Sequence, residues 1–163
     1  MKIFDPVGAL RVLTEHNVRF VVIGGLAASA HGSPSLTNDI DICHDRETSN
    51  LQNLAEALTR MHATLRGAPE EVPFLLDAES LRRGMNFTFW TDFGALDCLG
   101  EPAGVRGYEE LIHNAEEHEV FGYAIKVCSL DDLILMKERA GRPIDRIELE
   151  ILGALKEERD RES

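Results

Sequence analysis

The feature that most constrains the fold is a four-residue apolar run, Phe20-Val21-Val22-Ile23, followed directly by Gly24-Gly25. A short run with apolar side chains at every position is typical of a strand that is buried on both faces, as in α/β sheets. The two glycines end this strand. The alanine-rich residues 26–31 then predict a short helix. The start of the chain therefore predicts a central strand that leads into a helix through a glycine turn.

Helix and strand signals alternate along the rest of the chain. Three helix starts are predicted from capping residues: Asp5 before Pro6, Ser49 with Gln52, and Ser129 with Asp132. Alternating or β-branched segments predict strands over 39–42, 87–91 and 95–99, and a hairpin over 120–128. Residues 108–117 are interpreted as a helix, and 66–84 as a long loop with one helical turn near 78–82.

These elements predict an α/β (α+β) fold, with a mixed, twisted sheet of about five strands flanked by helices. The chain has 163 residues, of which 44% are hydrophobic, and this suits one compact domain. We expect a single domain over residues 1–163, with the C-terminal helices over 129–158 packed on it.

Two aspartates, Asp39 and Asp41, alternate with isoleucines in the second predicted strand. Side chains at i and i+2 project from the same face, so the two carboxylates repel each other unless a cation lies between them. Oxygen ligands of this kind are what Mg²⁺ prefers. A third acid, Asp97, lies on a later strand. If the two strands are neighbours, the three acids could hold two metal ions about 3.5–4 Å apart. The alternative is that Asp39 and Asp41 form the exposed face of an edge strand.

The glycine pair Gly24-Gly25 is a candidate phosphate-binding turn that precedes these acids in the sequence. Glycines between a strand and a helix let backbone N–H groups approach a phosphate, and a helix N-terminus favours an anion. Ser29 is close enough in sequence to offer a hydroxyl. The alternative is a plain strand-to-helix turn. The order of the elements favours a triphosphate cradle beside a metal site.

These spaced motifs resemble the signature of minimal nucleotidyltransferases of the DNA polymerase β superfamily. The matching segments are IGGLAASAHG (23–32), TNDIDI (37–42), GALDCL (94–99), YEEL (108–111), SLDDLILMK (129–137) and AGRPID (140–145). The resemblance covers roughly residues 18–155. Within the superfamily, the sequence resembles the AbiEii-type group of type IV toxin–antitoxin systems.

The resemblance implies a nucleotidyltransferase fold and an enzyme that uses an NTP such as ATP. A nucleoside monophosphate would pass to a hydroxyl acceptor, and pyrophosphate would be released. Asp39 and Asp41 would bind two Mg²⁺ ions. Asp97 would bind the catalytic ion and help to deprotonate the attacking hydroxyl.

The resemblance also implies residues that bind the nucleotide. Gly24, Gly25 and Ser29 would contact its phosphates. Lys137 would touch the triphosphate, and Asp145 would hold a polar position near the site. From the residues alone, Lys137 is equally explained as a solvated lysine on a capped helix, and Asp145 as an acid that complements a helix N-terminus.

Two departures from the family pattern motivate an alternative function. Relatives often carry an arginine shortly before the Asp-x-Asp pair, whereas residues 33–36 here contain none. The chain is also too short for the additional helical domain that many relatives use for the acceptor. The alternative is a non-catalytic module that keeps the fold and binds a nucleotide or a partner, such as a cognate antitoxin.

The formal net charge of −12 disfavours a broad nucleic-acid-binding face. An acidic surface would attract small hydroxylated molecules, including aminoglycosides, more than tRNA. The acceptor class nevertheless stays open among small molecules, proteins and RNA. No apolar run approaches the roughly 20 residues of a membrane helix. The three cysteines are widely spaced. We therefore expect a cytoplasmic protein with no membrane association.

Other candidate groups have structural explanations. Cys43, His44 and Cys98 could form a zinc site by proximity, but cysteines at the end of a buried strand are usually small core residues. Trp90 is expected in the core or in a hairpin pair. The pair Arg82-Arg83 would either meet an acceptor phosphate or stay solvated.

Overall fold

The computed structural model describes residues 3–67, 74–120 and 122–163. Within them, fourteen elements follow one another: α1 (Pro6–Glu15), β1 (Phe20–Ile23), α2 (Gly24–Ala30), β2 (Asp39–His44), α3 (Thr48–Arg60), β3 (Thr64–Leu65), α4 (Ala78–Arg83), β4 (Asn86–Thr91), β5 (Gly94–Leu99), α5 (Tyr108–Asn114), β6 (Glu116–Val120), β7 (Tyr123–Val127), α6 (Leu130–Ala140) and α7 (Pro143–Glu162).

The strands form one sheet in the order β3-β4-β5-β2-β1-β7-β6. Strand β2 runs parallel to β5 and antiparallel to β1, and β1 runs parallel to β7. The predicted mixed sheet flanked by helices is confirmed. The described residues contain seven strands rather than about five.

Strand β3, at one edge of the sheet, was not predicted. Strands β6 and β7 form the hairpin predicted over 120–128, but β6, at the other edge, lies earlier in the chain than predicted. Strand β3 has only two residues, which is too short to give a sequence signal. Strand β6 has the sequence EEHEV, and its acids have low strand propensity. The predicted helix over 108–117 was therefore too long, because α5 ends at Asn114 and Ala115 is extended.

The core lies around β1, whose four residues are all buried, as its apolar run predicts. On the neighbouring strand, Ile40 and Ile42 are fully buried, whereas Asp39 and Asp41 are half-buried on the opposite face. One face of β2 therefore packs in the core, and the other carries the paired acids.

Two of the three helix starts predicted from capping residues are confirmed. The Gly8 N–H donates to Asp5 Oδ1 at 3.0 Å, and the Asp132 N–H donates to Ser129 Oγ at 3.1 Å. Helix α6 ends at Gly141, whose left-handed φ of 65° favours glycine. The predicted hairpin between 87–91 and 95–99 is also present, as β4 and β5.

The capping box predicted for Ser49 is wrong. Helix α3 begins two residues earlier than a Ser49 cap implies, at Thr48, and its N-cap Glu47 makes no side-chain capping bond. The turn before the helix is held instead by Asp45, whose Oδ1 accepts from the Glu47 N–H at 3.2 Å. The buried Asn50 amide donates to the Asp45 carbonyl at 2.7 Å. These contacts hold the start of α3 at Thr48, so Ser49 lies inside the helix and does not cap it.

The two C-terminal helices pack together, and α6 also contacts α2. Leu133, Met136 and Leu152 join the hydrophobic core, and α7 continues to Glu162, beyond the predicted end at 158. In the predicted loop over 66–84, α4 supplies the expected helical turn, while 68–73 lie outside the described residues. No described helix has the length and apolar character that crossing a membrane requires.

Candidate active site

Asp39, Asp41 and Asp97 converge on one face of the sheet. Asp41 and Asp97 are register partners on the parallel strands β2 and β5, and Asp39 precedes Asp41 by two residues. Carboxylate oxygens of the three residues lie within 4.8 Å of one another. The three acids are half-buried. The convergence expected for neighbouring strands is therefore present.

The cluster is electrostatically strained without a cation. Burial, followed by the charges of Asp39 and Asp97, raises the pKa of Asp41 to about 7. Burial also raises the pKa of Asp97, against the opposing effect of the Arg66 charge. Clustered carboxylate oxygens that repel one another in this way are the donor set of a divalent cation site. The residues therefore fit the predicted Mg²⁺ ions.

Arg66 supplies a positive charge at this cluster. Its Nη2 lies 2.9 Å from Asp97 Oδ1, and its guanidinium carbon lies 5.3 Å from the centroid of the Trp90 ring. Arg66 directly follows β3, which pairs with β4 through Thr64↔Trp90 and Leu65↔Phe89. Sequence reasoning missed this residue because it lies in the predicted loop, and a two-residue strand carries it to the site.

The glycine turn packs directly against the acids. Gly24 has a φ of +66°, and a Cβ added there would overlap the Asp41 carboxylate. A Cβ at Gly25 would lie 2.7 Å from Cβ and Oγ1 of Thr37. Both positions therefore require glycine for a close approach, besides any role in binding phosphate. Ser29 is exposed and does not line the cavity described below.

Thr37 orients the first acid of the cluster. Its hydroxyl lies 3.0 Å from the Asp39 carbonyl oxygen and 3.2 Å from Asp39 Oδ1, and it can donate to either. Thr37 belongs to one of the matching motifs, but no role was predicted for it.

Lys137 and Arg142 are held by one buried acid. Asp145 is 1% exposed, and its Oδ2 accepts from Arg142 Nε at 2.9 Å. Lys137 Nζ lies 3.4 Å from Asp145 Oδ1 and also contacts Glu148. Burial would raise the pKa of Asp145, but the hydrogen bonds from Arg142 and the nearby Lys137 charge outweigh it and lower that pKa. Asp145 thus lies behind the cavity wall and positions two basic side chains.

A cavity of about 680 Å³ connects these groups. Six residues of the predicted site line it: Gly24, Gly25, Asp39, Asp41, Asp97 and Lys137. Five further residues that line it were assigned no role from the sequence: Thr37, Arg66, Trp90, Arg142 and Glu148. The volume lies within the ordinary range of small-molecule sites. Its lining combines clustered carboxylates with three basic side chains, an arrangement suited to a metal-bound polyphosphate.

The zinc site considered for Cys43, His44 and Cys98 does not form. Both cysteines are fully buried. Burial raises the pKa of Cys43 to about 12 and raises that of Cys98 as well, so both remain thiols. Over the described ranges, the aspartate cluster is the one group of three or more residues placed to hold a metal ion.

The structure also shows where Trp90 and the pair Arg82-Arg83 lie relative to the cavity. Trp90 lies in the β4–β5 hairpin, where it pairs with Ala95, which is one of its two expected positions. It is not in the core, because it is 37% exposed and lines the cavity. Its position on β4, close to the edge of the sheet, leaves it beside the cavity, while Phe87 and Phe89 stack with their ring centroids 6.0 Å apart. Arg82 and Arg83 pair with Glu79 instead and do not line the cavity.

No protein-family model and no curated protein matches the sequence. Solved structures do match. The lincomycin-bound lincosamide antibiotic adenylyltransferase LnuA has a TM-score of 0.63 and 13% identity, over 95% of this chain and 99% of that one. ANT(2'')-Ia in complex with adenylyl-2''-tobramycin has a TM-score of 0.52 and 16% identity, over 95% of each chain. A candidate nucleotidyltransferase from Thermotoga maritima has a TM-score of 0.53 and 16% identity, over 98% and 97% of the two chains. The chain therefore has the nucleotidyltransferase fold.

Proposed function

We propose that this protein is a Mg²⁺-dependent nucleotidyltransferase that moves a nucleoside monophosphate from an NTP to a hydroxyl acceptor. One observation carries the proposal: Asp41 and Asp97 are register partners, and the oxygens of the three acids lie within 4.8 Å beside the glycine turn. The adenylyltransferase LnuA and the adenylyl-tobramycin complex of ANT(2'')-Ia share the fold. They support ATP as the first nucleotide to test.

The cavity residues would have different roles in such a transfer. Gly24 and Gly25 leave room for phosphates against the acids, and Lys137 and Arg142 offset the negative charge of the triphosphate. Asp97 would accept the proton of the acceptor hydroxyl, whose oxygen bonds to the α-phosphorus as the bond to the pyrophosphate oxygen breaks. Two Mg²⁺ ions held by Asp39, Asp41 and Asp97 would stabilise the charge on both oxygens.

A non-catalytic nucleotide-binding module is the second candidate, and the Arg66–Asp97 ion pair favours it. At 2.9 Å, Arg66 neutralises the acid that a catalytic site needs as a metal ligand and proton acceptor. If this pair persists when the nucleotide binds, the protein binds the nucleotide without transferring it. Release of pyrophosphate separates the two candidates.

The resemblance to the AbiEii-type group adds a proposal about partners. A cognate antitoxin would be a second protein that counteracts the transfer activity of this chain in the cytoplasm. The test is the growth of cells that express this chain with and without the product of an adjacent gene, and equal growth in the two cases would contradict the partner. We also propose that residues 1–163 act as one unit, since α6 contacts both α2 and α7.

Pyrophosphate release tests the proposed function. Purified protein is given each NTP with Mg²⁺ and a panel of hydroxyl compounds, and release is compared for wild type, Asp39→Asn and Asp97→Asn. We expect release by the wild type and a loss of at least about 100-fold in each variant. Glu157→Gln is the matched control, because the Glu157 side chain is 74% exposed and lies away from the cavity. Full activity in either aspartate variant would contradict the proposal.

A further inference from the structure

The acids divide the cavity into two chemically different halves. In the sheet order, β1 and the glycine turn lie on one side of the β2–β5 pair, and β4 and β3 lie on the other. The first half carries Gly24, Gly25 and Lys137, the proposed nucleotide-binding residues. The second half carries Trp90 and Arg66. If the nucleotide occupies the first half, the acceptor must approach Asp97 from the second.

Resting on the proposed function, we infer that the acceptor is an uncharged or anionic hydroxyl compound with a flat apolar face, bound against Trp90 and Arg66. Polycationic acceptors are excluded from this half of the cavity. The inference concerns the substrate class and adds no step to the transfer itself.

The register places the Trp90 ring on the same face as the acids. Thr88 pairs with Asp97 and Trp90 pairs with Ala95, so Trp90 projects from the face that carries the Asp97 carboxylate. The Arg66 guanidinium lies over one face of this ring, 5.3 Å from its centroid, and the small Ala95 also lines the cavity. Leu99, two residues after Asp97 and on the same face, lines the cavity as well. An aromatic wall with apolar neighbours suits a flat, weakly polar surface.

Arg66 gives this half its charge preference. Its Nη2 pairs with Asp97, but its Nη1 is buried and has no hydrogen-bond partner among the described residues. A buried guanidinium N–H without a partner is costly, so an acceptor oxygen placed there would be bound favourably. Carboxylate, phosphate and hydroxyl oxygens accept such a bond, whereas an ammonium group cannot.

Each carboxylate that lines the cavity already belongs to the aspartate cluster or contacts a basic side chain. Of the described residues that line it, only Asp39, Asp41, Asp97 and Glu148 are carboxylates. The first three form the cluster, and Glu148 contacts Lys137. A polycation would therefore meet Arg66 and find no uncommitted carboxylate. The net charge of −12 acts at long range and affects encounter rates, but selectivity depends on local contacts. The inference thus opposes the aminoglycoside preference expected from overall charge.

The single tryptophan of the chain allows a direct test, because Trp90 is the sole source of tryptophan fluorescence. Emission is followed with Mg²⁺ and α,β-methylene-ATP present, an analogue that cannot release pyrophosphate. Three probes share one scaffold and differ in charge: phenyl β-D-glucuronide, phenyl β-D-glucoside and phenyl β-D-glucosaminide. Tobramycin is the polycation. We expect saturable changes with the glucuronide and the glucoside, and a Kd at least about tenfold higher for the glucosaminide.

Two substitutions at Arg66 identify the source of the preference. Arg66→Gln is expected to raise the Kd of the glucuronide about tenfold and to leave that of the glucoside within about twofold. Arg66→Lys keeps the charge and is expected to keep the preference for the anion. Equal or tighter binding of the glucosaminide or tobramycin would overturn the inference. So would an unchanged preference in Arg66→Gln, or the absence of a saturable change with all three probes.

A failure of the proposed nucleotide transfer can be distinguished from a failure of the inferred acceptor preference. Calorimetric titration of the same protein with ATP and Mg²⁺ reports nucleotide binding on its own. If ATP does not bind, the proposed transfer fails. The charge preference at Trp90 is still measured, by titrating the probes without the analogue.

Discussion

Asp41 on β2 lies directly opposite Asp97 on β5, and both side chains project from the face of the sheet that borders the cavity. This relationship exists because the two strands run parallel and adjacent although they are distant in sequence. It brings together negative charges that a folded chain would otherwise keep apart. The two negative charges therefore favour binding of a metal ion but destabilise the metal-free fold.

Asp41→Asn is expected to stabilise the metal-free protein. The substitution keeps the shape of the side chain and removes a charge that burial and the neighbouring acids disfavour. At pH 8, where the Asp41 carboxyl is ionised, we expect a rise in Tm of about 2–4 °C for each kcal/mol of repulsion removed. Differential scanning calorimetry with EDTA measures it. Adding Mg²⁺ should raise the Tm of the wild type and leave the variant unchanged. A variant less stable than the wild type in EDTA would contradict this account of the cluster.

Gly24→Ala is expected to lower stability and to abolish nucleotide binding. An alanine there is strained at a φ of +66°, and its Cβ would overlap the Asp41 carboxylate. The positive φ alone costs about 1 kcal/mol, and the overlap adds to it. Gly153→Ala is the matched control, since an added Cβ on this α7 residue has open space. The control should gain about 0.5–1 kcal/mol. Urea denaturation and ATP calorimetry would reveal the opposite signs. Equal effects would show that the turn tolerates a side chain.

Asp145→Asn is expected to weaken nucleotide binding more than it slows the transfer. The buried carboxylate holds Arg142 at 2.9 Å and lies 3.4 Å from Lys137 Nζ. Loss of its charge frees both basic side chains, so KM for the NTP should rise about tenfold while kcat falls less. Stability should also drop by about 1–3 kcal/mol, because the buried side chain loses its charge-assisted hydrogen bonds from Arg142.

Asp131→Asn provides the comparison for this prediction. Asp131 pairs with Lys156 at 2.7 Å, but its side chain is 72% exposed. Surface pairs of this kind contribute about 0–1 kcal/mol, so the control should change little. A KM for Asp145→Asn that matches the wild type would show that Asp145 does not position the basic side chains.

The buried His44 is expected to make the fold sensitive to acid. Its ring nitrogens have no hydrogen-bond partner among the described residues. Burial lowers its pKa to about 4; the charge of Arg46 adds to this effect and that of Asp45 opposes it. Between about pH 6.5 and 4, His44 is protonated in the unfolded state but neutral in the folded state. Its contribution to the free energy of unfolding is therefore lost as the pH falls. The slope should approach about 1.4 kcal/mol per pH unit.

His44→Leu should remove this slope, because leucine fills the buried position with an apolar side chain of similar size that has no group to titrate. His62→Gln serves as the control, since the His62 side chain is 73% exposed. The free energy of unfolding in urea at pH 4.5, 5.5 and 7 measures all three proteins. A wild-type slope that survives in His44→Leu would assign the acid sensitivity to another group.

The sequence predicted those parts of the fold that local patterns encode. The buried β1, the β4–β5 hairpin, the Asp5 and Ser129 caps and the aspartate cluster follow from residue type and spacing. Arg66 could not be predicted, because a two-residue strand carries it to Asp97. The position of Asp145 behind the cavity wall depends on how α7 packs on α6, which no local pattern states. Trp90 was expected in the core or in a hairpin pair, and it pairs with Ala95 in the β4–β5 hairpin. Its exposure to the cavity depends on the position of β4 in the sheet, which no local pattern states.

The central claim is that the three aspartates bind a metal-bound nucleotide. Calorimetric titration of ATP into wild type and Asp39→Asn, with and without Mg²⁺, tests it most directly. We predict binding by the wild type only when Mg²⁺ is present, and a loss of at least about tenfold in affinity in the variant. Binding that is independent of Mg²⁺, or that is equal in the two proteins, would contradict the claim and place the nucleotide away from the aspartate cluster.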